Sequence, residues 1–201
     1  MPSPQITIAR KSGAAALAQR IAGITKLAAY VGVPASSAAD RSAQLLAMAG
    51  PAGKKKKARL TKAAQSDVTN AELLFIFSKG SPLHNQPPRA VIEPAIKAEG
   101  NKEPIAKEMG ASVKASLDGN HEGAVKHMKR AAMYGKNAAK GWFTDPRNNW
   151  PKLADSTKRA RMRRMTKAQL KEVAELGDAA FTPGIDTGGM RNAIDGITRE
   201  E

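Results

Sequence analysis

Gly184-Ile185-Asp186-Thr187-Gly188-Gly189-Met190-Arg191-Asn192-Ala193-Ile194 is the stretch on which the reading of this chain turns. Asp186 and Thr187 are short polar residues of the kind that hydrogen-bond backbone N–H groups at the start of a helical turn. Gly188 and Gly189 permit a tight turn behind them. Met190, Ile194 and Ile197 then supply apolar positions. The pattern is a short loop that delivers the chain into a final packed element, a short helix or a strand over residues 190–197.

A second unusual order of residues lies about a hundred positions upstream. Gly80-Ser81-Pro82 is followed by Gln86-Pro87-Pro88-Arg89-Ala90-Val91-Ile92-Glu93-Pro94-Ala95. A Pro-rich turn over 81–89 thus separates two helical stretches. The first opens with Thr69-x-x-Glu72, a capping box, ahead of Leu73, Leu74, Ile76 and Phe77, and Gly80 suits its C-terminal end. The second opens with Val91, Ile92, Ala95 and Ile96, and Pro94 is tolerated in its first turn.

These two strings, in this order, resemble those of the neck or tail-completion (virion morphogenesis) proteins of tailed bacteriophages. In that family the first string usually reads Ile-Pro-x-Arg-Pro-Phe/Val-x-x-Pro-Ala, and the second Leu-Ile-Asp-Thr-Gly-x-Leu, a small or polar residue, then Ile. Gln86 stands here in place of the Ile and Ala90 in place of the second Pro. The likeness covers roughly residues 25–34 and 68–197. It implies a C-terminal strand pairing with the first strand of the chain. It also implies packing or interface roles for Pro87, Pro88, Arg89, Pro94, Asp186, Thr187, Gly188, Met190 and Ile194, with Arg89, Asp186 and Thr187 as organising residues.

Working outward, residues 12–24 carry Leu17, Ile21 and Ile24 at helical spacing. Residues 25–33 alternate, with Leu27, Ala29, Val31 and Val33 on one face of a half-buried strand that stops at Pro34. Residues 35–67 are rich in Ala, Ser, Gly and Lys, with a weak helical patch at Leu45, Leu46 and Met48, and read as a mobile basic insertion. Gly100 and Pro104 interrupt the helix begun at 91, and helical spacing resumes through Ile105, Met109 and Val113 to about Leu117. Asp118-Gly119-Asn120 is a turn. Residues 121–139 form a further helix with Ala124, Val125, Met128, Ala132 and Tyr134 inward. An irregular aromatic loop follows over 141–151. A single basic helix is predicted over 156–177, within a basic helical extension spanning 152–180. The expectation is one α+β domain over 1–201: a small antiparallel sheet packed with several helices, a long basic loop and a basic helix in the C-terminal half.

The net charge of +15 is concentrated. Lys54, Lys55, Lys56, Lys57, Arg59 and Lys62 give +6 within residues 51–62. Lys152, Lys158, Arg159, Arg161, Arg163, Arg164, Lys167 and Lys171 against Asp155 give +7 within 152–171. These two segments hold 13 of the 15 charges. Concentrated positive charge marks a surface for nucleic acid or an acidic partner, although lysine runs are also often plain solvated loops. Aromatics make up only 4% of the chain and much of its apolar content is alanine, so the core is thin for its length.

Several chemistries lack their residues. With no cysteine there is no disulfide framework, cysteine nucleophile or Cys-based zinc site. His84, His121 and His127 are scattered, and the last two fall on different faces of one helix, so no metal is expected. No phosphate-binding Gly-Lys-Ser/Thr loop and no Gly-x-Ser-x-Gly elbow is present. Asp186-Thr187-Gly188 matches the aspartic-protease triplet, but that chemistry needs a second such aspartate, which the chain lacks. Trp142, Phe143 and Trp150 beside Arg147 and Lys152 suit either base stacking or anchorage of the loop on the core or a neighbour. No apolar run is long enough for a membrane span, and no signal core follows Arg10 and Lys11, so a soluble protein made in the host cytoplasm is expected.

The resemblance implies a non-enzymatic, cofactor-free virion subunit of the head–tail junction. It would form a ring of six or twelve copies, contact connector and tail-tube proteins and let viral DNA pass. The basic residues Lys54–Lys57, Arg59, Lys62, Lys158, Arg159, Arg161, Arg163, Arg164 and Lys167 are then candidates to face the DNA channel or acidic neighbours. The rival reading, resting on charge alone, is a free phage-encoded nucleic-acid-binding accessory protein.

Overall fold

The computed structural model describes residues 11–34, 42–43, 45–47, 57–58, 61, 68–163, 165–185 and 188–200. Helix α1 (Lys11–Lys26) runs into strand β1 (Leu27–Gly32). After the insertion come α2 (Asn70–Lys79), α3 (Ile92–Lys97), α4 (Lys102–Leu117) and α5 (His121–Trp142). The basic region holds α6 (Asp155–Met162) and α7 (Lys167–Leu176), and the chain closes with α8 (Gly189–Ala193) and β2 (Asp195–Glu200). The fold is α+β, mostly helical, with one two-stranded antiparallel sheet among the described residues.

The last element resolves the choice between helix and strand, because it is both. Gly188 turns the chain into the single helical turn of α8, and β2 follows at once. β2 pairs with β1 in a register that sets Leu27 opposite Glu200 and Gly32 opposite Asp195. An isolated two-stranded ribbon is marginal in water and needs a helix beneath it. Here that helix is α5, which buries Ala124, Met128, Ala131, Ala132, Gly135, Ala139 and Trp142 along one stripe. The stripe is made of small residues where the sheet lies, so backbones approach closely. A Cβ on Gly135 would stand 2.7 Å from Val31 Cγ2, and one on Gly196 would stand 2.7 Å from the carbonyl carbon of Ala132 and nearer still to its oxygen.

Local signals decide the helix ends. Thr69 and Glu72 form the predicted capping box: Glu72 N donates to Thr69 Oγ1 (3.2 Å), and Thr69 N donates to Glu72 Oε2 (2.7 Å). Asn120 Oδ1 caps α5 by accepting from Gly123 N at 2.8 Å. Pro104 sits inside the first turn of α4, where its missing N–H costs nothing, so the break between α3 and α4 falls at 98–101 and the proline starts the second helix more than it interrupts the first.

Three expectations change. The basic helix is two helices, because Thr166 and Gln169 form a second capping box that starts α7 anew. Helix α5 runs one turn further than predicted and takes up Trp142, which is helical and buried, not part of the loop. Tyr134 points outward, 39% exposed. Residues 45–47 are helical and Leu45 is buried, while Met48 and most of the 35–67 insertion lie outside the described residues.

Candidate functional site

The two strings that carry the family resemblance meet in space. Leu74 and Phe77 of α2, Val91 after the Pro-Pro-Arg turn, Ala139 and Phe143 at the end of α5, and Ile194 form one buried cluster. Ile92, Trp150, Ile185 and Met190 pack against it. Its centre is aromatic. Phe77 and Phe143 lie 6.0 Å apart and nearly parallel, and Trp150 meets both edge-on at 5.2 and 5.6 Å. Such pairs add roughly 0.5–1.5 kcal/mol beyond the area they bury. Gly184 touches the same rings: with φ +76°, a Cβ there would lie 2.8 Å from both Phe143 Cε1 and Phe77 Cζ. The glycine of the Gly184–Ile194 string is therefore fixed by both backbone conformation and contact.

Arg89 is the polar member of this core, only 5% exposed. Its Nε and Nη2 donate to the Pro151 carbonyl at 3.3 and 2.8 Å, and Nη2 reaches Lys152 O at 3.5 Å. Its guanidinium lies over the Phe77 ring, 5.8 Å from the centroid. Trp150 Nε1 donates back to Ala90 O at 3.1 Å. The Pro-Pro-Arg turn thus clamps the segment that leads into α6. Burial, and then the field of Arg161, lower the pKa of Arg89 from its ordinary value. Pro87 is half-buried, Pro88 is exposed, and Pro94 is half-buried in the first turn of α3.

The end of the chain is laced to α5 by charged groups. Arg191 Nε donates to Lys140 O (2.8 Å), Lys140 Nζ donates to Asn192 O (3.0 Å), and Lys136 Nζ pairs with Asp195 Oδ1 at 2.6 Å. Lys136, then the Gly196 N–H, hold the Asp195 carboxyl below its usual value. None of these partners was legible in the sequence, since each joins residues about fifty positions apart and no periodicity links them. Gly188 lies in the left-handed region at φ +78°, Met190 is half-buried and Ile194 is fully buried. Asp186 and Thr187 lie outside the described residues.

The aromatic loop resolves in favour of anchorage. Arg147 grips Asp145 through Nη2 (2.6 Å) and Nε (2.9 Å), donates to Glu99 O (2.8 Å), and lies over the Trp142 ring. The Arg147 side chain, followed by its backbone N–H, holds the Asp145 carboxyl at about 2, against an ordinary 3.8. A depressed carboxylate stabilises the fold above its unfolded pKa and loses that contribution as pH falls through the folded value. Thermal melts of the parent are therefore expected to fall between about pH 4 and pH 2, and Asp145→Asn to fall less over that interval from a lower neutral-pH starting point.

The basic residues divide. Lys158 is an internal cation: its side chain is 14% exposed and its Nζ meets Asp178 Oδ1 at 2.6 Å and Asp155 Oδ1 at 3.3 Å. Arg161 Nη1 donates to Thr182 O at 2.9 Å. Lys57, Arg159, Arg163 and Lys167 are exposed. Lys54, Lys55, Lys56, Arg59, Lys62 and Arg164 lie outside the described residues. Among the described residues, no group of three or more His, Asp and Glu side chains is placed to hold a metal, and no helix is long and apolar enough to cross a membrane. Comparison with protein-family models, with curated proteins and with solved structures gives no match to this chain.

Proposed function

We propose that this chain is a structural subunit of the head–tail junction of a tailed bacteriophage, a neck or tail-completion protein that assembles as a ring around the path of the genome. The observation that carries the reading is the pairing of β1 with β2 directly behind the Gly184–Ile194 string. That pairing is what the resemblance implies, and it comes with the packing of both motif strings into one cluster. Within those strings Arg89, Val91, Ala95, Ala193 and Ile194 are buried, and Arg89 and Arg191 donate to backbone carbonyls, in keeping with an architectural role. Identical subunits would meet through heterologous contacts that close into a cycle. An apolar depression of about 400 Å³ on α2, lined by Val68, Glu72, Phe75 and Ile76, gives one surface for such contacts.

The test is native mass spectrometry of the full chain with negative-stain imaging, alone and with tail-tube or connector protein. A ring of six or twelve copies, alone or formed with those partners, is the expected result. A monomer or dimer that never assembles with them, yet binds duplex DNA, would replace this reading with that of a free nucleic-acid-binding accessory protein. The exposed Arg159 and Arg163 favour that second reading.

A further inference from the structure

We infer that Arg159, on the outward side of α6, and Arg163, at its C-terminal cap, are the cations of the 152–171 segment that contact the phosphate backbone of duplex DNA, and that Lys158 and Arg161 are not. Burial along α6 recurs at Lys158, Arg161 and Met162, the i, i+3, i+4 signature of an inner face. Arg159 and Arg163 fall on the exposed remainder, one turn apart. The inner cations already have partners: Lys158 holds Asp178 and Asp155, and Arg161 holds Thr182 O. Lys152 completes the pairing of Asp178 at 3.2 Å. Asp155 and Asp178 are thereby both engaged by the inner Lys158, and Asp178 by the exposed Lys152 as well. Helix α7 adds Lys167 and Lys171 but also Glu172 and Glu175, so it carries no net charge. The surplus sits on α6 and on the two arginines that follow it in the sequence.

The form of the partner follows from what this face lacks. Base stacking on single strands needs free aromatic rings. Trp142 and Phe143 are buried, and Trp150 is held edge-on against Phe77 and Phe143 with its Nε1 on Ala90 O. The aromatics nearest in sequence are thus committed to the fold, and what Arg159 and Arg163 present is guanidinium forks. Those match phosphate oxygens bidentately and read no sequence. Four helical residues rise about 6 Å, close to two phosphate steps of one strand at roughly 7 Å. The inference draws its biological setting from the proposed ring, where the duplex is the genome in transit, but the contact belongs to the chain itself.

The experiment measures anisotropy of a labelled random-sequence duplex with the full-length protein across a salt series. Arg159→Gln with Arg163→Gln is expected to leave the melting temperature unchanged and to reduce the slope of log affinity against log salt by about 2, near 0.9 for each cation removed. Lys158→Gln is expected to lower the melting temperature and leave the slope alone. An unchanged slope in the double variant, tighter binding of single strands than of duplex, or no duplex binding by the parent would each overturn the inference. Native mass spectrometry of the same samples separates the two ideas. A ring with an unaffected slope sinks the DNA contact and spares the junction reading. A lost slope in a protein that never assembles does the reverse.

Discussion

Gly196→Ala is expected to lose about 3 kcal/mol of folding stability, the upper part of the usual range for overpacking. The new Cβ would stand 2.7 Å from the Ala132 carbonyl carbon, with the carbonyl oxygen nearer still. Those atoms are helix backbone, so no rotamer change relieves the clash. Either α5 bends or β2 lifts off it. Lifting β2 also pulls on the Lys136–Asp195 pair beside it and on the ladder to β1. Chemical denaturation read by circular dichroism measures the loss. The control is Gly110→Ala in the middle of α4, where nothing lies within 4 Å of the added methyl. That variant is expected to gain about 0.5–1 kcal/mol, from higher helix propensity and a less flexible unfolded chain. Equal effects at the two sites would refute close packing of sheet on helix.

Arg89→Ala is expected to cost a comparable amount, about 3 kcal/mol. The substitution removes packing over Phe77 and strips the Pro151 carbonyl of both its guanidinium donors. Hydrogen bonds from a charged group contribute about 1.5–3 kcal/mol each, and water can take over part of that role at the exposed Pro151. Relief of the buried charge offsets part of this sum. Arg89→Lys tests the fork. It keeps a charge but loses the planar pair of donors, so it is expected to recover less than half of the loss. Hydrogen exchange adds a local readout. The amides from Trp150 through α6 are expected to lose protection in Arg89→Ala more than those of α4, since the clamp holds the segment that launches α6. Uniform loss across the chain would show that Arg89 acts only through global stability.

The local signals in this chain were readable because the physics behind them is local. The capping box at Thr69 and Glu72, the turn at Asp118-Gly119-Asn120, and the strand alternation over Leu27 to Val33 each rest on groups within a few residues of one another. Where two local signals compete, the structure departs from the sequence pattern. The apolar spacing of Met162, Met165, Leu170 and Val173 suggested one helix through 156–177, but the Thr166–Gln169 box supplies its own N-terminus and restarts the chain. The aromatic run at Trp142-Phe143 resembled a loop beside Pro146, yet small residues at Gly135 and Ala139 let α5 continue along the core until Trp142 is buried.

Charge was the property least decided by sequence. Lys158 and Arg159 are neighbours with identical formal charge, and composition assigns them the same role. One helical step of about 100° turns the first toward Asp178 and leaves the second exposed. By itself the sequence determined the class of fold, the positions of most helices and a strand over 25–33, which the structure trims to Leu27–Gly32 because α1 runs on to Lys26. Only the tertiary structure decided that α5 lies beneath the paired strands, that Arg89 faces inward onto Pro151, and which cations remain exposed. Those outcomes depend on contacts between residues from about twenty to more than one hundred positions apart, and periodicity within a window of a dozen residues carries no information about such partners.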